Sequence, residues 1–386
     1  MLECQRAQFD IPREVCYLNA AAWGPLPLDA QAAGRIGVAR KGRPWTLDPD
    51  FAARQYARAR AAAAALIGAD AADVALIPSV SYGVATAAKL FAPAPGRRVL
   101  LLADDHSSPV LEWLTRAGPG GFAVETVARP ADGDWTASLL EAIARPGAAP
   151  PALASISSVH WSDGGAIDLD RVAAALRGRG AALLVDATHA VGVMGIDVRR
   201  LDPDFLVFPT YKWVLGPYGR AFLYVARRHQ DGVPLEQTAY GRRAVAAEQT
   251  TYLADTRFVP GAARFDMGER DHFVSLEMAS IGMELVAGWG AAAIEERLAW
   301  LTGLLAEGLT GSSVVIPPVR VRAPHILSLG FPHGLPERLV PALAAADVHV
   351  AARLGRIRIS PHVYNDAEDV ARFVAVFRQA MAAGER

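Results

Sequence analysis

The sequence predicts an α/β protein in which a mainly parallel sheet forms a large domain and a smaller α+β unit follows it. Three observations point there. Short apolar runs bounded by Gly, Pro or Asp recur through the middle of the chain, Ala-rich amphipathic stretches separate them, and past about Asp255 the pattern changes.

The runs Val99–Ala103, Phe122–Val127, Ala152–Val159, Ala181–Asp186 and Phe205–Phe208 are rich in Val, Leu and Ile. Strands covered by helices on both faces are continuous apolar runs of this kind, so these are expected as buried parallel strands. Ser107–Arg116, Trp135–Ala144 and Asp170–Arg177 are the helices expected between them. Beyond Asp255 a helical stretch runs from Phe273 to Gly308 with a break near Gly288–Gly290. Strands are expected around Val314–Val321 and Ile326–Leu329, a helix near Pro336–Ala345, strand-like Val348–Ala351 and Arg356–Ile359, and a last helix from Asp366 to about Ala383. The expected division is a large domain over 16–265 and a small one over 266–386 joined by 1–15.

Composition narrows the function. With 386 residues, 52% hydrophobic and 20% charged, the chain is globular and too long for one ordinary core. The formal net charge of −1 gives no global field to attract nucleic acid or an anionic membrane, and no run reaches the roughly 20 apolar residues of a membrane span. Cys4 and Cys16 form neither a disulfide framework nor a metal-ligand spacing, and the first ten residues have no apolar signal core; a cytoplasmic protein without metal is expected. Lysine occurs three times, at 41, 89 and 212.

Candidate chemistry concentrates between Val185 and Leu223. Asp186 ends one apolar run and Lys212 follows the end of the next, so both side chains can reach one rim of the sheet, where open α/β sheets bind ligands. A pyridoxal-phosphate site needs such a pair: an amine to form a Schiff base and an acid to keep the pyridine nitrogen protonated. Taken singly, Asp186 fits a helix N-cap and Lys212 a surface residue. The pairing, with Tyr211 and Trp213 flanking the lysine, favours the cofactor, whereas Lys41 and Lys89 lack strand-end neighbours and read as surface charges. Ser79, Ser81 and Tyr82 lead into the Ala-rich helix Val84–Leu90, whose N-terminus suits an anion or plain capping.

The motifs Asp186-Ala-Thr-His189-Ala-Val-Gly, Asp204-Phe-Leu-Val, Tyr211-Lys-Trp213 and Gly216-Pro-Tyr-Gly219 together resemble the class V aminotransferases, the family of cysteine desulfurases, kynureninase and isopenicillin-N-epimerase-like enzymes. The resemblance extends from Tyr17-Leu-Asn19 to Arg358-Ile-Ser and Tyr364-Asn365. It implies the type I pyridoxal-phosphate fold, similar to aspartate aminotransferase, and a homodimer with the site near its interface. It also implies an amino-acid substrate. By the same resemblance Lys212 carries the cofactor, Asp186 meets its ring nitrogen, His106 stacks on the ring and His189 lies near its phenolic oxygen. Ser81 and the Tyr82 amide are implied as phosphate contacts, Thr210 and Tyr211 as further donors, Ser158 as a cofactor neighbour and Arg358 as the α-carboxylate ligand. Arg353 and Arg356 are neighbours of Arg358, so the Arg-Ile-Ser pattern makes that choice.

Two departures narrow the reading. Val348–Gly355 has no cysteine where desulfurases hold their nucleophile, which argues against a persulfide mechanism, and Ser158 stands where they have Asn. Glu269 replaces a Thr that relatives direct at the partner's phosphate, with Arg270 a candidate substitute. The shared chemistry begins with loss of the α-proton to Lys212. Transamination ranks first, with α,β-elimination such as C–S lysis, or epimerisation, close behind; a non-catalytic regulator or scaffold of the same fold is the reading of a different class. His160, Trp161, Trp23, His362 and Tyr364 are candidates for the substrate pocket or for core.

Overall fold

The computed structural model describes residues 1–247, 249–270 and 272–384. Seven strands form the main sheet: Val74–Ile77 (β1), Arg98–Leu102 (β2), Ala123–Val127 (β3), Pro151–Ser157 (β4), Ala182–Asp186 (β5), Phe205–Pro209 (β6) and Ala221–Val225 (β7). Their order is β1-β7-β6-β5-β4-β2-β3, and β7 runs antiparallel to both of its neighbours. Alternate residues of each strand bury opposite faces, as the pleat requires. Leu100, Leu102, Leu183, Val185, Leu206 and Phe208 belong to the core on one side. Val99, Leu101, Leu184, Phe205 and Val207 belong to the core on the other. The parallel strands were expected from their apolar runs; β1 and β7 were not.

Helices Leu28–Lys41 (α1) and Phe51–Ile67 (α2), also unforeseen, precede the sheet, and Val80–Leu90 (α3), Ser107–Gly120 (α4), Trp135–Ala144 (α5) and Leu169–Arg177 (α6) connect its strands. The long helical stretch is Ser275–Trp289 (α7) and Ala291–Gly308 (α8), broken at Gly290, whose φ of +84° favours glycine. The strand expected over Val314–Val321 is absent: only Val315 bridges to Gly330, and Val319–Val321 is a 3₁₀ turn. Pro317 and Pro318 remove two ladder donors there. Leu327–Leu329 (β8), Ala351–Arg353 (β9) and Arg356–Ile359 (β10) make the small sheet, in order β8-β10-β9.

The helices after the main sheet divide their packing between two cores. Leu276, Ala279 and Met283 of α7 bury themselves in the large core, while Ile294, Leu298 and Leu301 of α8 enter a third core with β8, β10 and the last helix, Ala367–Gly384. Val286, near the end of α7, already belongs to that third core, so α7 passes from one core to the other between Met283 and Val286. At the other end, Cys16, Leu18, Ala20 and Ala21 pack into the small core, and Cys16–Tyr17 pairs in parallel with Val348–His349. Among the described residues no helix is long and apolar enough to cross a membrane.

Candidate active site

The carboxyl ends of the parallel strands meet at one cleft. Asp186 is the last residue of β5, Ser157 of β4, and Lys212 stands in the loop between β6 and β7. That loop returns tightly: the Thr210 amide donates to Arg220 O at 3.0 Å and the Gly216 amide to Thr210 O at 2.8 Å. The N-terminal segment lies against it, with the Gly24 amide donating to Tyr211 O at 2.8 Å; a Cβ on Gly24 would stand 2.0 Å from Lys212 O.

Lys212 is 7% exposed, and its Nζ lies 3.3 Å from His189 Nε2. Burial first, then the Arg358 and Arg353 charges, lower the amine to about 7 against the opposing pull of Asp186. Asp186 is buried, and its Oδ1 accepts from the Thr188 amide at 3.0 Å and from the Thr188 hydroxyl, which fixes the carboxylate toward the cleft. His189 is held neutral by burial, reinforced by the Lys212 charge.

His106 stands at the cleft mouth as the residue before α4, edge-on to Trp161 with ring centroids 6.0 Å apart. Asp105 positions this corner. Its carboxylate accepts from Ser157 Oγ at 2.7 Å, the Ser157 amide at 3.2 Å and the His106 amide at 2.7 Å, while burial raises its pKa above the ordinary carboxylate range. The Trp161 indole donates to Asp104 O at 2.7 Å. Val80, the first residue of α3, also lines the cleft, so a helix N-terminus faces it. Ser79 caps that helix, its Oγ accepting the Tyr82 amide at 3.2 Å and lying 3.1 Å from the exposed Ser81 Oγ.

Arg358 stands on β10 behind the cleft residue Trp161, close enough to Lys212 and His106 for its charge to lower both. It is 2% exposed, its Nη1 donates to Trp161 O at 2.6 Å, and its Nε is buried without a partner. No ion pair joins it to a carboxylate among the described residues. Burial, with the Arg353 charge adding to it, lowers the guanidinium to about 9. A buried cation lacking a counter-ion is costly, and an incoming carboxylate would relieve that cost.

Several expected residues fall elsewhere. Ser158 faces the opposite way: its Oγ donates to Asp186 O at 3.2 Å, and it lines a separate pocket with Ile167 and Met194, because side chains alternate along the chain and Ser157 takes the cleft side. The Thr210 hydroxyl is committed to Pro217 O at 2.7 Å and braces the loop, whereas Tyr211 lines the cleft. The Tyr82 amide is engaged by Ser79. His160, His362 and Tyr364 are wholly buried core, and Trp23 is 65% exposed and stacked on Tyr218. Arg270 pairs with buried Asp266 and lies over the Tyr56 ring. Lys41 stands over Phe273 and Lys89 donates to Pro234 O, away from the cleft. Asp105, Ser157 and Thr188 were not anticipated; Asp105 directly precedes His106 in sequence, the one signal that could have found it.

A buried amine lowered to about 7 near an anchored carboxylate at the strand ends, with a buried cation lacking a counter-ion close by, fits pyridoxal phosphate and the amino acid it works on. The fold and the site define a pyridoxal-phosphate enzyme of fold type I. The chain belongs to the class V aminotransferase family: the family model described as Aminotransferase class-V matches residues 49–373, and pyridoxal phosphate is its cofactor. A kynureninase of Deinococcus radiodurans is 27% identical over 308 residues, 77% of this chain and 72% of that protein. The apo cysteine desulfurase of Thermococcus onnurineus NA1 superposes with a TM-score of 0.84 at 20% identity, over 99% of each chain. The cystine C-S lyase C-DES, in complex with its product cysteine persulfide, gives 0.83 at 19% identity over 95% of this chain and 97% of that one.

Proposed function

We propose that this enzyme takes a free α-amino acid by its carboxylate on Arg358, moves the α-proton with the Lys212 amine and cleaves a bond at the substrate's side chain. The observation behind this is the 2%-exposed Arg358 guanidinium, without a carboxylate partner and close enough to Lys212 for its charge to lower the amine. A planar fork of donors suits two-point contact with a carboxylate, and Trp161 O already orients it. In this reading Lys212 Nζ attaches the cofactor, Asp186 faces its ring nitrogen and His106 covers the ring. His189 lies beside it and the N-terminus of α3, with Ser81, takes the phosphate. Bound there, pyridoxal phosphate supplies the electron-accepting ring that acidifies the substrate's α-carbon. An amine whose pKa is about 7 can accept and return a proton at neutral pH, the condition for a general base and acid.

Kynureninase relatives favour side-chain cleavage. The two cysteines stand apart from this chemistry: Cys4 Sγ lies 3.4 Å from Tyr364 O and Cys16 Sγ 3.3 Å from Asp369 O, both in the small unit. Amino-group transfer is the second reading, favoured by the family description. A homodimer belongs to the same reading, supported by the exposed Trp23–Tyr218 stack beside Tyr211 at the cleft. The loaded enzyme is incubated with single amino acids, kynurenine and cystine among them, and the products are weighed by mass spectrometry. A shortened carbon skeleton supports cleavage, whereas a keto acid of unchanged skeleton assigns transfer. Turnover of no amino acid, with cofactor bound, would overturn both.

A further inference from the structure

Behind Lys212, away from the open side of the cleft, three buried histidines surround one indole. Trp213, His189, His325 and His362 are together almost fully buried, at 0%, 4%, 0% and 0% exposure. Their hydrogen bonds run in one direction. The Trp213 Nε1–H can only donate, and it donates to His189 Nδ1 at 3.0 Å. His189 Nδ1 is therefore the bare nitrogen of a neutral ring, and the ring proton stands on Nε2, 3.3 Å from Lys212 Nζ.

The indole cannot turn away from this task. His325 packs edge-on against it at 4.5 Å, and its Nε2 donates to His189 O at 2.7 Å. His362 stacks along it at 5.7 Å. The Val363 amide fills His362 Nδ1, so His362 Nε2–H donates to Trp213 O at 3.1 Å. Burial keeps His325 and His362 neutral, at about 3 and about 4. Both come from the small unit, which thus clamps Trp213 from two sides.

We propose that Trp213 is a positioning residue that locks His189 in its Nε2–H tautomer, so that the imidazole acts on Lys212 and on the cofactor bound there only as a hydrogen-bond donor. This rests on the reading of Lys212 as the cofactor lysine. A donor facing Nζ favours the free amine over the ammonium, adding to the effect of burial. Without the indole N–H, the proton can move to Nδ1, and the exposed Nε2 lone pair then favours the ammonium. The other charged or titratable groups facing Lys212 are Asp186, Arg358, Arg353 and His106, with the Tyr211 ring 5.4 Å from Nζ; none donates to His189 Nδ1.

The test compares the full-length chain with its Trp213→Phe variant, both stripped of cofactor, and measures the rate of pyridoxal-phosphate uptake against pH. The midpoint of the rise is expected to move up by roughly half to one pH unit in Trp213→Phe, the equivalent of one hydrogen bond. An unmoved midpoint overturns the inference, while failure of the wild-type chain to take up the cofactor overturns the reading of Lys212 instead. Should Trp213→Phe fold poorly, ¹⁵N-histidine NMR of the wild-type chain, with His189→Gln to assign the resonance, decides alone. A proton on Nε2 supports the lock, and a proton on Nδ1 refutes it.

Discussion

Lys212→Met should stabilise the protein before cofactor is added, and by an amount that depends on pH. Lys212 is buried and its amine is lowered from 10.5 to about 7. Between those values the unfolded chain holds a proton that the folded chain has released, so stability rises with pH across the window. The sign is opposite to that of a salt-bridged lysine. Below pH 7 both states are charged and the full cost of burying the ammonium is felt; above 10.5 both are neutral and the cost is gone. With about 1.4 kcal/mol for each pH unit of separation, the cost is ~4 kcal/mol at pH 7 and ~2 kcal/mol at pH 9. Methionine fills the same volume without a charge to desolvate. Urea denaturation of both proteins at the two pH values measures the difference directly. The variant's advantage should shrink by ~2 kcal/mol between pH 7 and pH 9. An advantage equal at both would mean that Lys212 does not titrate in this window, and the account of its reactivity would fail with it.

Arg358→Gln should leave cofactor uptake intact and weaken amino-acid binding by about 10- to 150-fold, the worth of a charge-assisted bond at ~1.5–3 kcal/mol; titration of the visible spectrum with substrate reads it. Asp105→Asn keeps the size but replaces an acceptor of three hydrogen bonds with an amide that can accept at one oxygen only. Cofactor affinity should fall about tenfold through a misplaced His106, which equilibrium dialysis would detect. Gly24→Ala forces a methyl to within 2.0 Å of Lys212 O. The backbone must shift, so cofactor loading should fall sharply while circular dichroism stays near native; unchanged loading would show that the Gly24 contact does not position Lys212.

Much of this site was legible because its residues follow strands that announce themselves. Trp135–Ala144 and Arg356–Ile359 keep the bounds their sequence suggests, and Asp186 and Lys212 fall at strand ends where apolar runs stop. What was not legible is which side of an element faces the cleft. Ser157 and Ser158 are chemically identical, and only the register, Ser157 opposite Asp186, tells which one shares its side. Arg358 was chosen over Arg353 and Arg356 by resemblance. The physical reason appears in the sheet, where it lies between Ser328 and Ala351, neighbours small enough to let a guanidinium be buried. Ala221–Val225 escaped notice because a short antiparallel strand beside a loop lacks the helix-bounded setting that marked the others.

The contributions from outside the sheet explain why the small unit is more than a lid. Arg358, His325, His362 and Gly24 all reach the Lys212 region from segments whose apolar neighbours belong to the small core or to the N-terminal strand packed on it. Lys212 owes its low amine pKa first to burial, and Trp213 next to it is part of that same small core. A separated large unit would keep Asp186, His106 and the N-terminus of α3 but would leave Lys212 wetter and His189 unclamped. The chemistry of the lysine is therefore set at the junction, and a substitution that loosens the two units should change the amine before it changes the sheet.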